Sequence, residues 1–421
     1  MNHHHVAARM ITIVLAAITL QSQAQPGSQE IFQQEMSRYG IRFTSDNDVQ
    51  LLMSGRQKFD TMFRDIRQAR HSIHLEYFNF RNDSIAGLLF DLLRQKRREG
   101  VEVRALFDGF GNDSNNQPLL QRHLSALRRD SILIYEYAPI RFPWVNKIWP
   151  RDHRKIVVID GRIAYTGGMN VADYYITGTP QVGTWRDMHC RITGSAVTDL
   201  QYIFCRLWQE VTGEHIALPP YFRAQPAGQA TVGIVNREPG SVRTADGYTV
   251  GQSDAIRRLY VSAINAARDS LKLINPYFTL VPSVRRALKQ AIRRGVKVDI
   301  MVSAHSDVPL TPDCVFRNAR QMQKLGANVW FYKPGFHHSK ILTVDGRFCT
   351  VGSANLDARS MRFDYEENAV IIDTATTRRL DDMFNRDKRD SFYLTTETWN
   401  RFRTPWQKFR GWFASLLQPL L

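Results

Sequence analysis

Polar and apolar positions alternate through HSIHLEYFNF (His71–Phe80), the period-two pattern of a strand with one face buried. The period then changes. SIAGLLFDLLRQKRREG (Ser84–Gly100) repeats its apolar residues at helical spacing, turns basic at its end and stops at a glycine. VEVRALFDG (Val101–Gly109) predicts a second strand. The same succession returns in DSLKLINPYF (Asp269–Phe278), SVRRALKQAIRRG (Ser283–Gly295) and VKVDIMVS (Val296–Ser303). Strand, helix, glycine and strand in that order form a βαβ unit, and two copies predict an internal duplication in an α/β chain.

Between the copies, GEHIALPPYFRAQPAGQ (Gly213–Gln229) and REPGSVRTADGYTVGQS (Arg237–Ser253) carry Pro, Gly and little periodicity, and read as a connector and a long loop. The expected organisation is a first half at 25–212, linker and loops at 213–255, a second half at 256–390 and a C-terminal tail at 391–421. Ahead of these, MITIVLAAITL (Met10–Leu20) is an apolar run of 11 residues, preceded by Arg9. A span needs about 20 apolar residues, so this run suits a secretory signal in residues 1–24, with an uncleaved short anchor as the alternative. Either places the body of the protein outside the cytosol.

Each half then carries a second, shared feature. HRKIVVIDGR (His153–Arg162) and HSKILTVDGR (His338–Arg347) both obey His-x-Lys-x4-Asp, and each is followed by a small-residue turn and an asparagine, GGMN (Gly167–Asn170) and GSAN (Gly352–Asn355). In an extended chain residues i and i+2 share a face, so His153 projects with Lys155, and His338 with Lys340. His337 falls on the other face and reads as support. Asp160-Gly161 and Asp345-Gly346 are hairpin dipeptides, which gives both aspartates a structural reading beside the chemical one the motif suggests. Gly168 and Ser353 let a phosphate approach the backbone, and Asn170 and Asn355 add donors beside it.

Two imidazoles and two ammonium groups suit a phosphodiester. Lys155 and Lys340 hold the non-bridging oxygens, one histidine attacks phosphorus, and the other protonates the leaving alcohol. No clustered carboxylates resemble a two-metal site, so neither metal nor cofactor is called for. Asp187 in WRDMHCRI and Glu366 in DYEENAVII each open an alternating strand beyond the asparagine of their own half. A carboxylate beside an imidazole fixes its tautomer and raises its basicity, with Glu367 the alternative to Glu366.

Charge narrows the partner. Lys and Arg number 56 against 40 Asp and Glu, a net +16, which favours anionic partners. The four cysteines have no metal-ligand spacing; Cys190 and Cys349 read as buried hydrophobes, and a Cys190–Cys205 disulfide stays open as an alternative.

The doubled motif resembles the phospholipase D superfamily and, more closely, the bacterial cardiolipin synthases, over nearly all the chain after about residue 40. The likeness rests on HRKIVVIDGRIAYTGGMNVAD, TWRDMHCRITG, HSKILTVDGRFCTVGSANLDARS and the C-terminal QPLL. It implies two pseudo-symmetric αβαβα halves with mixed central sheets and both motifs at one site. It further implies transfer of a phosphatidyl group between two phosphatidylglycerol molecules with release of glycerol, by an enzyme associated with the membrane of a bacterial envelope. By resemblance His153 and His338 are nucleophile and acid/base, in an order the sequence leaves open. Two departures stand out: one short apolar run where many relatives have two spanning helices, and Asp152 directly before His153. Asp152 either biases that imidazole or sits in solvent.

The superfamily includes nucleases, so lipid and nucleic acid are weighed separately. In TPWQKFRGWFASLLQPLL (Thr404–Leu421), Thr404 and Gln407 form a capping box around Pro405, and Trp406, Phe409, Phe413, Leu416 and Leu420 share one face with Lys408 and Arg410 off it. That suits an anionic membrane interface; docking on the protein's own core is the alternative. IRFPWVNKIWPR (Ile140–Arg151) reads as an apolar rim ahead of His153, although such aromatics also stack bases. Phosphatidylglycerol and a membrane surface are therefore the expected partners. A lipid hydrolase, a metal-independent phosphodiesterase or nuclease, and an inactive basic membrane-binding protein are the alternatives.

Overall fold

The computed structural model describes residues 26–140, 149–216, 219–240, 242–243, 249–308 and 311–416. The apolar run Met10–Leu20, most of the Ile140–Arg151 stretch, Leu420 and the final QPLL lie outside them. The first half contains β1 (Phe43–Leu52), β2 (Ser72–Tyr77), β3 (Glu102–Asp108), β4 (Leu133–Tyr137), β5 (Ile156–Ile159), β6 (Ile163–Gly167), β7 (Thr184–Arg186) and β8 (His189–Thr193). After β9 (Ala230–Arg237) and a short hairpin, β10 (Val242–Arg243) and β11 (Thr249–Gly251), come β12 (Ser270–Ile274), β13 (Lys297–Ser303) and β14 (Asn328–Tyr332). β15 (Gly335–His337), β16 (Ile341–Val344), β17 (Phe348–Gly352), β18 (Glu366–Ile372) and β19 (Ser391–Tyr393) complete the second half.

Among the described residues, fifteen strands form one mixed sheet in the order β19-β14-β13-β12-β16-β17-β18-β9-β1-β8-β6-β5-β2-β3-β4. The order is nearly palindromic about the β9–β1 junction, so the duplication seen in sequence is a two-fold relation between halves. Both βαβ units form as expected, with β2 parallel to β3 and β12 parallel to β13. Their helices, Ser84–Arg98 and Pro282–Arg293, begin with an Asp83 cap onto Ala86 N–H and with Pro282 in the first turn. They stop ahead of Gly100 and Gly295, whose φ of 86° and 88° need glycine.

Two expected boundaries are corrected. Residues 213–255 are not only linker: β9 lies in that span and is central, paired to β18 over seven residues and to β1 on its other side. The Ser28–Arg38 helix, expected with the first half, packs against the second, where Phe32 stacks on Phe348 at 4.6 Å. A shared core of Val49, Ile156, Cys190, Ile234, Cys349 and Ile371 then crosses the junction. Cys190 and Cys205 are both buried thiols, and no disulfide joins them.

The tail is also more structured than expected. β19 extends the sheet, and the Pro405–Ala414 helix carries the Thr404/Gln407 capping box. That helix docks through its small residues. Gly411 approaches Asp313, a Cβ there standing 2.9 Å from the Asp313 carbonyl oxygen, while Arg403 and Arg410 both pair with the Asp313 carboxylate. Trp406, Phe409, Phe413 and Leu416 stay 53–66% exposed, so the apolar face is not the docked one.

Candidate active site

The backbone brings the two histidines to the boundary between the halves. Residues 151–153 run beside Tyr365: Tyr365 N–H donates to Arg151 O at 2.8 Å, and His153 N–H to Tyr365 O at 3.0 Å. On the other side β15 pairs in parallel with β7, and His338 N–H donates to Arg186 O at 2.7 Å. Each motif therefore enters the site along the segment that carries the opposite half's carboxylate. His153 Nδ1 lies 3.0 Å from Glu366 Oε1, and His338 Nδ1 lies 2.7 Å from Asp187 Oδ2. Each carboxylate meets the imidazole of the opposite half, across the junction.

With Nδ1 engaged by a carboxylate, Nε2 is the nitrogen left for chemistry in both rings, and at His338 it faces the Lys340 amine at 2.9 Å. Glu366 also accepts from the hydroxyls of Ser353 and Ser360. Burial works against its charge, and His153, Lys155 and the Ser353 hydroxyl outweigh it, holding the carboxyl below its ordinary range. His153 is pushed down to about 4, chiefly by burial, with Lys155 and Lys340 adding to the effect and Glu366 opposing it. Burial and the adjacent Lys340 likewise lower His338. Lys155 and Lys340 are each lowered to about 8, again mainly by burial, and Asp187 and Glu366 keep the shift from being larger. Near neutral pH the site thus offers two neutral imidazoles and two cations.

Glu367, the alternative to Glu366, takes no part in this contact. It receives the Thr166 hydroxyl and is raised to about 8 by burial. Asp152 does not sit in solvent: it is fully buried, with Arg154 Nε 3.0 Å from its Oδ1. Arg154 also holds Glu76 at 2.6 Å.

The placement of Asp160 and Asp345 in the catalytic set is corrected. Each stands at the far end of the short strand that follows its lysine, in the left-handed region with φ of 54° and 52° ahead of a glycine. The Asp160 carboxylate accepts the N–H groups of Arg70, His71 and Ser72 at 2.7–3.0 Å. Asp345 does the same for Arg268, Asp269 and Ser270 at 2.8–3.0 Å. Both clamp the hairpin to the start of the neighbouring strand.

Gly168 and Ser353, expected beside the phosphate, face the carboxylates instead. Asp187 packs on the Cα of Gly168, where a Cβ would stand 2.8 Å from its Oδ2, and the fully buried Ser353 serves Glu366. Asn355 lines the cleft, and the buried side-chain oxygens of Asn170 and Asn355 have no partner among the described residues. Beneath the first turn, the buried Lys58 amine donates to the carbonyls of Met169 and Asn170 at 3.1 and 3.0 Å.

A cleft of about 540 Å³ opens over His153 and Glu366. Its first-half wall is aromatic, with Phe78, Phe110 and Trp149; its second-half wall presents Tyr277, Thr279, Asp307 and Asn355. His338 sits among Trp185, Phe336 and Tyr277, with ring centroids 5.4–6.1 Å away. These flanking residues escaped the motif search. Phe78 and Tyr277 nevertheless follow closely on the first strand of each βαβ unit, and the carboxyl ends of such strands are where ligands bind in α/β sheets. His337 turns away from the cleft toward Asp387, at 3.2 Å.

A family model described as cardiolipin synthase, PLD-like domain, matches residues 62–180 and 260–388. The cardiolipin synthase of Oceanobacillus iheyensis is 33% identical over 380 residues, covering 90% of this chain and 76% of that relative. The cardiolipin synthase of Listeria monocytogenes is 32% identical over 388 residues, covering 91% and 77%. Among solved structures, the phosphatidylserine synthase of Haemophilus influenzae Rd KW20 superposes with a TM-score of 0.68 at 15% identity, covering 93% of this chain and 100% of the other. At that identity the likeness is one of fold.

Proposed function

The chain belongs to the family of cardiolipin synthases with phospholipase D-like domains, and from that premise we propose that it moves a phosphatidyl group from one phosphatidylglycerol to another through a phosphohistidine. It is a phosphatidyltransferase of phospholipid biosynthesis. The observation that carries the reaction scheme is the pair of imidazoles, each backed at Nδ1 by a carboxylate of the opposite half, with Lys155 and Lys340 between.

In the first step one Nε2 attacks phosphorus, and the P–O bond to the glycerol head group breaks. The other histidine gives its proton to that oxygen, releasing glycerol. Burial keeps both imidazoles neutral in the protein alone, so this proton is taken up from solvent as substrate binds: the entering phosphodiester anion favours the imidazolium, and the carboxylate behind it stabilises the charge. In the second step a hydroxyl of another phosphatidylglycerol attacks the phosphohistidine. The N–P bond breaks and the hydroxyl proton passes to the neutral histidine, completing cardiolipin. Lys155 and Lys340 neutralise the equatorial oxygens in both steps, and Asn170 and Asn355 add hydrogen bonds.

A lipid substrate requires contact with a bilayer. Among the described residues no helix is long and apolar enough to cross one. The exposed row Trp406, Phe409, Phe413 and Leu416 supports association from the surface, with the +16 charge drawing the protein to anionic lipid. Two measurements test the reading. Labelled phosphatidylglycerol should yield cardiolipin and glycerol, and formation of phosphatidic acid alone makes the protein a hydrolase. Changing Trp406, Phe409 and Phe413 together to serine should weaken flotation with anionic vesicles at least tenfold while sparing activity on detergent-dispersed lipid; undiminished flotation removes the helix from the membrane contact.

A further inference from the structure

One wall of the cleft is out of keeping with a site for anions. Asp307, in the loop after β13, lines it and accepts the Tyr277 hydroxyl at 2.7 Å, and Tyr277 in turn stands edge-on to His338 at 6.1 Å. A carboxylate here repels a phosphodiester, so a phosphate group is not what it serves. Two further side chains on the same wall point to a ligand. Thr279 Oγ1 and Asn355 Oδ1 belong to residues 1% and 7% exposed, and neither atom has a partner among the described residues. Polar atoms buried that deeply at a cleft wall pair with water in the empty cleft or with a ligand that displaces it.

The chemistry wanted there is neutral and has both donors and acceptors. Asp307 and the Asn355 Oδ1 accept, the Thr279 hydroxyl both donates and accepts, and the Tyr277 oxygen keeps a lone pair. An ammonium head group would use only the acceptors and leave the donors of this wall unpaired, although Arg359 beside it is already paired with Asp364 at 3.0 Å. A vicinal diol uses every group.

We infer that Asp307, Tyr277, Thr279 and Asn355 form a subsite for the glycerol moiety of the phosphatidylglycerol head group. The inference rests on the transfer reaction proposed above. The subsite holds the alcohol in both steps: the glycerol that departs when the N–P bond forms, and the head-group hydroxyl that attacks when it breaks. It thereby favours a diol over water at the phosphohistidine, which is what separates a transferase from a hydrolase on this scaffold. Tyr277, flanking both His338 and Asp307, fixes the distance between diol and phosphorus.

The test supplies the full chain with unlabelled phosphatidylglycerol in detergent micelles and isotopically labelled glycerol or 1-propanol as competing acceptors, so that exchange into phosphatidylglycerol is distinguished from the substrate by its label. Cardiolipin, phosphatidic acid and the two exchange products are then quantified. Wild type is expected to favour glycerol over 1-propanol at least tenfold, because a site built to pair hydroxyls rejects an analogue lacking them. Asp307→Ala should bring that ratio to within about threefold of unity and raise phosphatidic acid relative to cardiolipin by about tenfold. Thr279→Val, which keeps the shape, should move both ratios the same way by a smaller factor and remains informative if Asp307→Ala folds poorly. Ratios unchanged in folded Asp307→Ala and Thr279→Val overturn the subsite. Failure of wild type to make cardiolipin overturns the transfer reaction itself, a separate outcome.

Discussion

Replacing Gly168 by alanine adds one methyl group to the first half's histidine hairpin, and its effect should fall on the histidine of the second half. A Cβ at position 168 would stand 2.8 Å from Cγ and Oδ2 of Asp187 and closer still to Oδ1, where ordinary contact begins at 3.4 Å. The backbone cannot retreat, because Gly168 N–H is held by Met188 O at 2.9 Å. The carboxylate must therefore yield by roughly 0.6 Å or more in a site with no free volume to absorb it. Its bond to His338 Nδ1 is 2.7 Å long, and that displacement lengthens or misaligns it. A hydrogen bond to a charged group contributes about 1.5–3 kcal/mol, or roughly 10- to 150-fold in rate. Misplacing a reacting group by about 1 Å costs on the order of 100-fold. The two estimates converge on a loss of about 100-fold in kcat. KM should stay within about threefold, since neither lysine is touched. Initial rates of cardiolipin formation measure both constants, and thermal unfolding of the same preparation shows whether the fold survives. Asp187→Asn should match the loss. Ser353→Ala, at the equivalent position in the second half, deletes only a donor to Glu366 and should cost about tenfold or less. If folded Gly168→Ala turns over at the wild-type rate, the cross-half carboxylate does not set His338 and the argument is wrong.

Lys155 and Lys340 act as cations and are lowered to about 8, so kcat/KM should fall as pH rises through about 8; a profile flat to pH 9.5 contradicts that role. The limb in kcat should lie higher, because bound phosphodiester favours the ammonium forms. Asp345→Ala removes the acceptor of three N–H groups at the start of β12, and should lower unfolding stability by about 1–3 kcal/mol in denaturant titrations. The folded fraction of that variant should keep kcat within about threefold, and a hundredfold loss would return the aspartate to the chemistry. His74 is buried against Phe204 and pushed down to about 3 by burial, so the fold refuses a proton that the unfolded chain accepts below about 6.5. Stability should therefore decline as pH falls from about 6.5, and His74→Gln should make that decline shallower; an unchanged slope would assign acid lability to other groups.

What could be read in the sequence was what local physics determines. Period-two runs, helical spacing and terminating glycines locate the βαβ units, and Asp-Gly ahead of a returning strand locates both hairpins, because each depends on residues a few positions apart. The same logic assigned the hairpin aspartates a structural use that their clamped backbone now explains. β9 escaped because ATVGIVNR carries a glycine and an asparagine and lies between Pro/Gly-rich stretches; its neighbours β1 and β18 make it a strand, and both are remote in sequence. The Ser28–Arg38 helix escaped for a similar reason, since its affinity is for a core formed more than 200 residues later. The carboxylates mark the limit most clearly. A repeat displays what each half contains twice, and so assigns Asp187 and Glu366 to their own histidines by default. Their actual partners follow from two backbone pairings, Tyr365 with residues 151–153 and β7 with β15, that no periodicity records. The exchange also explains why two motifs make one site: a half folded alone would hold a histidine without its acid and an acid without its histidine.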